Sequence, residues 1–427
     1  MGKYSIVFAC LCFIPVLVWG DQPQSDFEKN WPQWRGPSAN GVSPYGNPPV
    51  EWSESKNIKW KIEIPGKGHA TPIVWGNQIF VLTAIKSDTQ PNSQEEVKFE
   101  IFAINRSDGK ILWQHTARET LPHEGTHTTG TLASNSPVTD GEHVYAYFGS
   151  RGLYCYDMQG NLKWEKDLGD MSTRRGFGEG SSPVLHRDKI IVNWDHEGQS
   201  FIIALDKKTG KELWKVNRDE VTSWSTPLIT ESNGKAQVIT SATNKIRSYD
   251  VATGEVLWES SGMTVNVIPS PVAANDRVYV MSGFRGNALQ AINLSEAQGN
   301  IADSEAIIWT LDKDTPYTPS PLLYDDNLYF LKSNDGILAC LNAITGEEYF
   351  SRQRLKGIER VYASPAGANG KIYITSRNGN TQVIKHGTTY EILAINTLDD
   401  SFSASPVIVD NELYLRGEQY LYCIAEK

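Results

Sequence analysis

A Ser-Pro or Thr-Pro pair recurs eight times along the chain, at about the spacing of one blade of a β-propeller. The pairs are Thr71-Pro72, Ser136-Pro137, Ser182-Pro183, Thr226-Pro227, Ser270-Pro271, Ser320-Pro321, Ser364-Pro365 and Ser405-Pro406. Each pair opens a series of short apolar runs joined by turns, with no helical periodicity between them. Such runs are typical of antiparallel sheets arranged around an axis. The repeat predicts an all-β fold, an eight-bladed β-propeller of four-stranded antiparallel blades.

A column of small residues gives a second estimate of the repeat register. Two positions before the polar end of each predicted third strand come Ala103, Cys155, Ala204, Ser248, Ala291, Cys340, Ala394 and Cys423. Nearby aromatic residues follow in six units, namely Trp113, Trp164, Trp214, Trp258, Trp309 and Phe350. A large aromatic side chain on an outer strand packs well between neighbouring sheets. We expect these aromatic residues to be structural.

The two ends of the repeat predict how the propeller closes. The eighth unit ends after residues 421–424 without an outer strand, whereas residues 57–62 form an apolar strand pattern without a unit of their own. We expect the N-terminal strand to complete the last blade, which leaves no open sheet edge. The predicted organisation is a signal peptide at 1–20, an N-terminal Trp/Pro-rich segment at 21–56 that packs on the propeller, and the propeller at 57–427.

The first twenty residues have the pattern of a secretory signal peptide. Lys3 precedes an apolar stretch from Ile6 to Val18, and Val18-Trp19-Gly20 offers a cleavage site. The stretch is shorter than a membrane span requires. We therefore expect a periplasmic or extracellular protein with no lipid anchor and no membrane insertion.

Charge and cysteine usage limit the partners and the chemistry. The net charge is −10 and basic runs are lacking, which argues against nucleic acid and anionic lipid as partners. Cys155, Cys340 and Cys423 fall in the same column of non-adjacent blades, too far apart for a disulfide. We expect three buried free thiols and a monomeric protein.

Three repeat units and two further segments carry a family resemblance. Residues 103–113, 204–214 and 248–258, together with Trp31-Pro-Gln-Trp-Arg-Gly-Pro37 and residues 219–227, resemble secreted bacterial proteins of the pyrroloquinoline-quinone (PQQ)-like propeller superfamily. The superfamily includes quinoprotein dehydrogenases and an outer-membrane assembly scaffold. The resemblance covers the mature chain and implies the fold more strongly than the chemistry.

The two branches of the superfamily imply different functions. Quinoprotein dehydrogenases hold PQQ and calcium in the central funnel, beside a disulfide between adjacent cysteines and a catalytic Asp. This chain has no adjacent cysteines and lacks the long insertions that build such a funnel. We therefore expect neither PQQ nor calcium. The scaffold branch uses a bare propeller to hold protein segments, which this chain resembles more closely.

Residues that break the repeat are the candidates for a binding site. The position three before each proline varies, and it holds His69, Trp224 and Tyr362 in three of the units. These residues end loops that converge on one mouth of the central channel, where propellers usually bind ligands. Two long loops before Ser136 and Ser182 add four further candidates, His127, Arg174, Arg175 and Glu179.

No catalytic or metal-binding motif emerges. His123, Glu124 and His127 invite a zinc interpretation, but their segment lacks helical support, so no metal is predicted. The leading hypothesis is a non-catalytic propeller that binds a protein segment or a small ligand at the channel mouth. A PQQ- and calcium-dependent oxidoreductase is the alternative, and a carbohydrate-binding or carbohydrate-active propeller is the third possibility.

Overall fold

The structure, a computed structural model, describes residues 24–86 and 96–426, with side chains from residue 26 onward. The predicted signal peptide therefore lies outside the described residues. Eight antiparallel sheets follow one another around a central axis, which confirms the all-β, eight-bladed propeller. The one α-helix in the described part is Gln24–Glu28, and short 3₁₀ helices cover Gly149–Arg151 and Arg174–Gly176.

Each blade consists of four antiparallel strands, ordered from the innermost outward. Blades one to four comprise Ile73–Trp75, Gln78–Lys86, Val97–Asn105 and Ile111–Thr120; Val138–Thr139, His143–Tyr147, Leu153–Asp157 and Leu162–Lys166; Val184–His186, Lys189–Trp194, Ser200–Asp206 and Glu212–Arg218; Leu228–Ser232, Lys235–Ser241, Ile246–Asp250 and Val256–Ser260. Blades five to eight comprise Val272–Ala274, Arg277–Ser282, Ala288–Asn293 and Ile307–Leu311; Leu322–Tyr324, Asn327–Leu331, Ile337–Asn342 and Glu348–Arg354; Ala366–Ala368, Lys371–Thr375, Asn380–Lys385 and Ile392–Thr397; Val407–Val409, Glu412–Arg416, Tyr420–Ile424 and Ile58–Glu63.

The N-terminal strand closes the last blade, as the sequence predicts. Ile58–Glu63 pairs antiparallel with Tyr420–Ile424, and Trp60 lies opposite Cys423. Two short strands extend other blades in parallel: Val42–Ser43 on the inner edge of blade seven and Gly299–Asn300 on the outer edge of blade four. The first and last segments of the propeller are thus held in one sheet.

The Ser or Thr before each proline forms a closed ring of hydrogen bonds between blades. In every blade its backbone N–H donates to the side-chain oxygen of the equivalent residue one blade further on, at 2.9–3.0 Å. This hydroxyl ring runs through Thr71, Ser136, Ser182, Thr226, Ser270, Ser320, Ser364 and Ser405, and back to Thr71. All eight are buried, so each N–H needs a partner within the protein. The repeat therefore requires a hydroxyl at this position.

Removing one hydroxyl of this ring should be costly. We expect Ser182→Ala to lower the free energy of unfolding by about 1–3 kcal/mol, because it leaves the buried N–H of Ser136 without an acceptor. Ser182→Thr, which keeps the oxygen, should lose much less. Urea unfolding of the two variants measures the difference, and equal losses would show that side-chain volume rather than the hydrogen bond matters.

The repeated tryptophans connect neighbouring blades. In five blades the indole N–H donates to a carbonyl of the next blade at 2.9–3.2 Å: Trp60 to Arg106, Trp113 to Met158, Trp164 to Lys207, Trp214 to Val251 and Trp309 to Ala343. The turn of the next blade packs against the indole. A Cβ on Gly210, whose φ is +67°, would lie 2.7 Å from the Trp164 ring. The Thr-Gly turn and the tryptophan thus form one interblade contact.

The small-residue column is correct in seven blades and wrong in blade seven. Ala394 lies in the outer strand there, and Val383 of the third strand takes the equivalent position opposite Tyr373. The error arises because the third strand of this blade ends without the usual polar turn, whereas Ala394 and Asn396 imitate that pattern one strand later. The prediction for the thiols is confirmed, since Cys155, Cys340 and Cys423 are buried and free.

The N-terminal segment crosses the axis at the far ends of the inner strands. Trp31 bridges to Val74 of blade one, and the carbonyl of Pro32 accepts from Thr139 of blade two. Across the axis, the buried Arg35 guanidinium donates to the carbonyls of Pro321 and Pro365 in blades six and seven, both at 2.5 Å. Burial lowers the pKa of Arg35 to about 9. These contacts connect blades on opposite sides of the channel.

Candidate functional site at the central cavity

A cavity of about 410 Å³ occupies the mouth of the central channel. The residue three before each proline lines this central cavity in all eight blades. These residues are His69, Ser134, Gly180, Trp224, Ile268, Thr318, Tyr362 and Ser403. They lie together because every loop from an outer strand to the next inner strand ends at the axis. Repeat-breaking residues far apart in the sequence therefore share one wall.

The cavity has a floor as well as walls. Members of the hydroxyl ring, including Thr71, Ser136 and Ser182, line its lower part, and Trp34 of the N-terminal segment also reaches it. Because the neighbouring Arg35 connects this segment to blades six and seven, Trp34 is held in place across the channel. The cavity is thus backed by protein on the side away from the mouth.

Aromatic rings form much of the wall. His127 contacts Phe177 edge to face at a centroid distance of 5.0 Å, and Phe284 stacks on Tyr317 at 4.7 Å. Trp224 donates its indole N–H to the carbonyl of Gly178 at 2.7 Å, which fixes the ring at the cavity. An apolar wall with a few polar groups is typical of a ligand-binding pocket.

Four of the lining aromatic residues are not among the predicted site residues, namely Trp34, Phe177, Phe284 and Tyr317. Tyr317 directly precedes the position three before proline in its unit, so a search of the whole loop could have found it. Trp34 lies outside the repeat and carries no such signal.

Glu179 is the one carboxylate among the cavity-lining residues of the described chain. Its oxygens accept from Arg151 Nη1 at 2.9 Å, and from the backbone N–H and hydroxyl of Ser150 at 2.7 and 2.6 Å. Burial raises the pKa of Glu179, while Arg151 and Ser150 oppose that shift. The carboxylate is therefore already engaged by its neighbours.

The candidate metal ligands are arranged differently from the sequence hypothesis. Ligand atoms of His123, Glu124 and Glu179 lie within 4.8 Å of one another, and His127 does not belong to this group. Glu124 accepts from the backbone N–H and the hydroxyl of Thr173, so it is also engaged. His127 instead contacts Thr129 through Nδ1 at 2.8 Å. The structure thus brings a second carboxylate to His123 and moves His127 to the cavity wall.

Arg174 and Arg175 lie in a short 3₁₀ helix and are not among the cavity-lining residues. Arg175 is exposed and has a φ of +55°. The backbone N–H of Arg174 donates to Thr222 Oγ1 at 2.9 Å, which connects this loop to the loop before blade four. The structure does not place these two side chains with the other predicted site residues.

His69 has an unusual electrostatic environment. Burial lowers its pKa to about 4, and the positive charges of Arg377, Arg416 and Lys67 act in the same direction. The imidazole is therefore neutral at neutral pH. Arg377 also lies over the Tyr362 ring, 5.1 Å from its centroid, so this side of the mouth is rich in cations.

The lowered pKa of His69 predicts a pH-dependent stability. An unfolded histidine binds a proton near pH 6.5, but His69 in the folded state binds one only near pH 4, so stability is lost as the pH falls between these values. We expect this residue to account for about 2 kcal/mol of that loss. Urea unfolding of the wild type and His69→Gln at pH 7 and pH 4.5 measures it. An identical loss in both proteins would contradict the assignment.

These observations define the class of the protein: it is an eight-bladed propeller with an aromatic cavity at one mouth of its channel. The sequence matches the family described as outer membrane protein assembly factor BamB over residues 46–193 and 198–427, and the chain belongs to that family. Within residues 24–86 and 96–426, no helix is long and apolar enough to cross a bilayer.

Curated relatives with different names share the repeat. The chain is 23% identical over 298 residues to outer membrane protein assembly factor BamB of Salmonella typhimurium, covering 67% of each protein. It is 21% identical to a polyvinylalcohol dehydrogenase of a Pseudomonas species, covering 47% of this chain and 35% of the relative. It is 23% identical to tetrathionate hydrolase of Acidithiobacillus ferrooxidans, covering 65% and 53%. The chain thus spans about a third of the polyvinylalcohol dehydrogenase and about half of the tetrathionate hydrolase.

Solved structures of two kinds share the fold. BamB from Moraxella catarrhalis superposes with a TM-score of 0.60 at 15% identity, covering 87% of this chain and 97% of that one. A quinohemoprotein alcohol dehydrogenase from Comamonas testosteroni gives 0.70 at 11% identity, covering 95% and 82%. At these identities the likeness concerns the fold alone, which serves both binding proteins and enzymes.

Proposed function

We propose that this protein is an exported, non-catalytic propeller that holds a segment of a partner protein in its central cavity. The observation that carries the proposal is the cavity itself, which is open at the mouth, walled by aromatic rings and backed by Trp34. Buried aromatic side chains dominate the energetics of protein recognition. Family membership supports a protein partner, because the matched family is named for an assembly factor.

The cavity does not suit the group that the dehydrogenase branch implies. Calcium takes about six to eight oxygen ligands, whereas Glu179 is the one carboxylate among the described residues that line the cavity, and it is bonded to Arg151 and Ser150. The cysteines of the described chain lie in three separate blades, so they form no pair beside the axis. The residues present do not fit a calcium-bound quinone, which favours binding over redox catalysis.

Site-specific crosslinking tests the proposal. A photoreactive amino acid placed at Trp224, in intact cells of the organism that produces the protein, should crosslink to one or a few defined proteins. The same group placed at Leu213, which is exposed on an outer strand of blade three, is the matched control. We expect partner-specific products from position 224 and none of these products from position 213. Identical products at both positions would contradict binding in the cavity.

A second experiment addresses the alternatives directly. Purified protein is mixed with PQQ and calcium, and absorbance and dye reduction with alcohols and sugars are recorded. We expect no stoichiometric uptake and no turnover, and either result would overturn the non-catalytic assignment. Binding of the protein to a glycan array, without crosslinked proteins, would instead favour a carbohydrate ligand.

A further inference from the structure

Arg416 is buried without a hydrogen-bond partner among the residues that the structure describes. It ends the second strand of blade eight and is 1% exposed, yet within residues 24–86 and 96–426 none of its three guanidinium nitrogens has a hydrogen-bond acceptor. A buried charge without compensation is strongly unfavourable. A negatively charged partner would compensate this charge.

The other buried arginines of the described chain all have a hydrogen-bond acceptor, which Arg416 lacks there. Arg35 donates to backbone carbonyls, Arg151 pairs with Glu179, Arg218 with Asp195, and Arg247 with Asp219 and Glu259. Each of these guanidinium groups has at least one acceptor. Arg416 is the exception among the buried arginines in residues 24–86 and 96–426.

The register of blade eight places Arg416 opposite a residue that lines the central cavity, Ser403. Arg416 lies two residues after Tyr414 and so shares its face of the sheet. The hydroxyl of Tyr414 accepts a hydrogen bond from Arg106 of blade one at 3.0 Å, so this face of the sheet packs on blade one. His69 lies in the loop that leads into blade one. The bridge between Phe402 and Gly417 brings Ser403 opposite Arg416.

Two polar groups at this point border the cavity. His69 and Ser403 both line it, and in the described part of the chain the buried Ser403 hydroxyl has no hydrogen-bond partner, like the guanidinium opposite it. The positive charge of Arg416 also contributes to the lowered pKa of His69, after burial and the charge of Arg377. Two such donors thus belong to residues that lie opposite each other in the pairing of these two segments.

The one acidic residue whose charge acts on the pKa of Arg416 does not serve as its hydrogen-bond partner. Asp400 acts on the charge of Arg416 from a distance, but its carboxylate accepts from the backbone N–H groups of Ser401, Gln419 and Tyr420 at 2.8–3.3 Å. Its role is to stabilise the turn between the second and third strands. The guanidinium fork therefore remains available.

We propose that Arg416 and Ser403 form a binding site for an oxyanion, a carboxylate or phosphate group, that enters through the central cavity. The planar guanidinium matches two oxygens of either group in a bidentate arrangement, and the serine hydroxyl donates a further hydrogen bond. The neutral His69 borders the site from the cavity. Either a free anion or an anionic group on a larger ligand can occupy this site.

Calorimetric titration with two small anions tests this site. Acetate and inorganic phosphate are titrated separately into the full mature protein in a chloride buffer. The comparison includes Arg416→Met, Ser403→Ala and, as a charge-matched control, Arg360→Met, which removes an exposed cation from the same mouth. We expect saturable binding of at least one anion, at least tenfold weaker in Arg416→Met and changed less than twofold in Arg360→Met.

Thermal unfolding provides a readout that a merely structural arginine would not give. The bound anion should raise the melting temperature of the wild type and leave that of Arg416→Met unchanged. Without the anion, Arg416→Met should melt no lower than the wild type, because methionine removes an uncompensated buried charge. Absence of saturable binding of either anion overturns the proposal. Equal weakening by Arg416→Met and Arg360→Met, which would mean general charge attraction only, also overturns it. Since only small anions are used, neither result depends on the identity of the protein partner.

Discussion

Deleting all residues before Pro65 is expected to lower the melting temperature markedly and to cause aggregation. The deletion removes strand Ile58–Glu63 and exposes the edge of Tyr420–Ile424, which is otherwise paired along its length. It also removes the buried Trp60, whose loss alone is expected to cost about 3–5 kcal/mol. Soluble yield and calorimetry of the refolded protein measure the effect. An unchanged melting temperature would show that the N-terminal strand is not part of the last blade.

A pair of point variants separates closure from the other effects of that deletion. Trp60 and Trp164 each donate an indole hydrogen bond to the next blade, at 3.0 and 2.9 Å. If the N-terminal strand is equivalent to any other outer strand, Trp60→Ala and Trp164→Ala should lower the free energy of unfolding by similar amounts. A much smaller loss for Trp60→Ala would indicate that the strand is only loosely attached.

The second large effect is expected from the buried ion pair near the mouth. Arg218 and Asp195 have no exposed side-chain surface, and Arg218 Nε donates to Asp195 Oδ1 at 2.7 Å. The same carboxylate accepts from Asn193 and Ser223, so it connects blade three to the loop before blade four. Asp195→Ala should cost about 3–5 kcal/mol because it leaves a buried guanidinium uncompensated. Urea unfolding measures the loss.

Two comparisons identify the cause of that loss. The double variant Asp195→Leu/Arg218→Met removes both charges and should recover much of the stability. Asp167→Ala removes an exposed partner of Arg118, 3.1 Å away, and should cost at most about 1 kcal/mol. A double variant as unstable as Asp195→Ala would mean that the hydrogen bonds to Asn193 and Ser223, rather than the charge, carry the effect.

Position in the repeat predicted the residues of the candidate site better than loop composition did. His69, Trp224 and Tyr362 break the repeat three residues before a proline, and all three line the central cavity. Of the four candidates that come from the two long loops, two line the cavity and two, Arg174 and Arg175, do not. Position within the repeat fixes the distance of a residue from the axis, whereas the composition of a long loop does not fix where its side chains point.

The sequence by itself determined the blade count, the strand order and the closure, because these depend on short-range periodicity that recurs in every unit. The prediction that Ala394 lies in the third strand was wrong because that strand of blade seven lacks the usual polar turn. The outer strand carries a similar pattern of a small residue followed by an asparagine. Only the tertiary structure showed that the repeated serines and threonines form a hydroxyl ring, that Trp34 backs the cavity and that Arg416 has no hydrogen-bond partner within residues 24–86 and 96–426. These features join residues from different blades or from outside the repeat. The pattern of a single unit does not specify such contacts, because they arise only when the ring closes and brings distant loops to the axis.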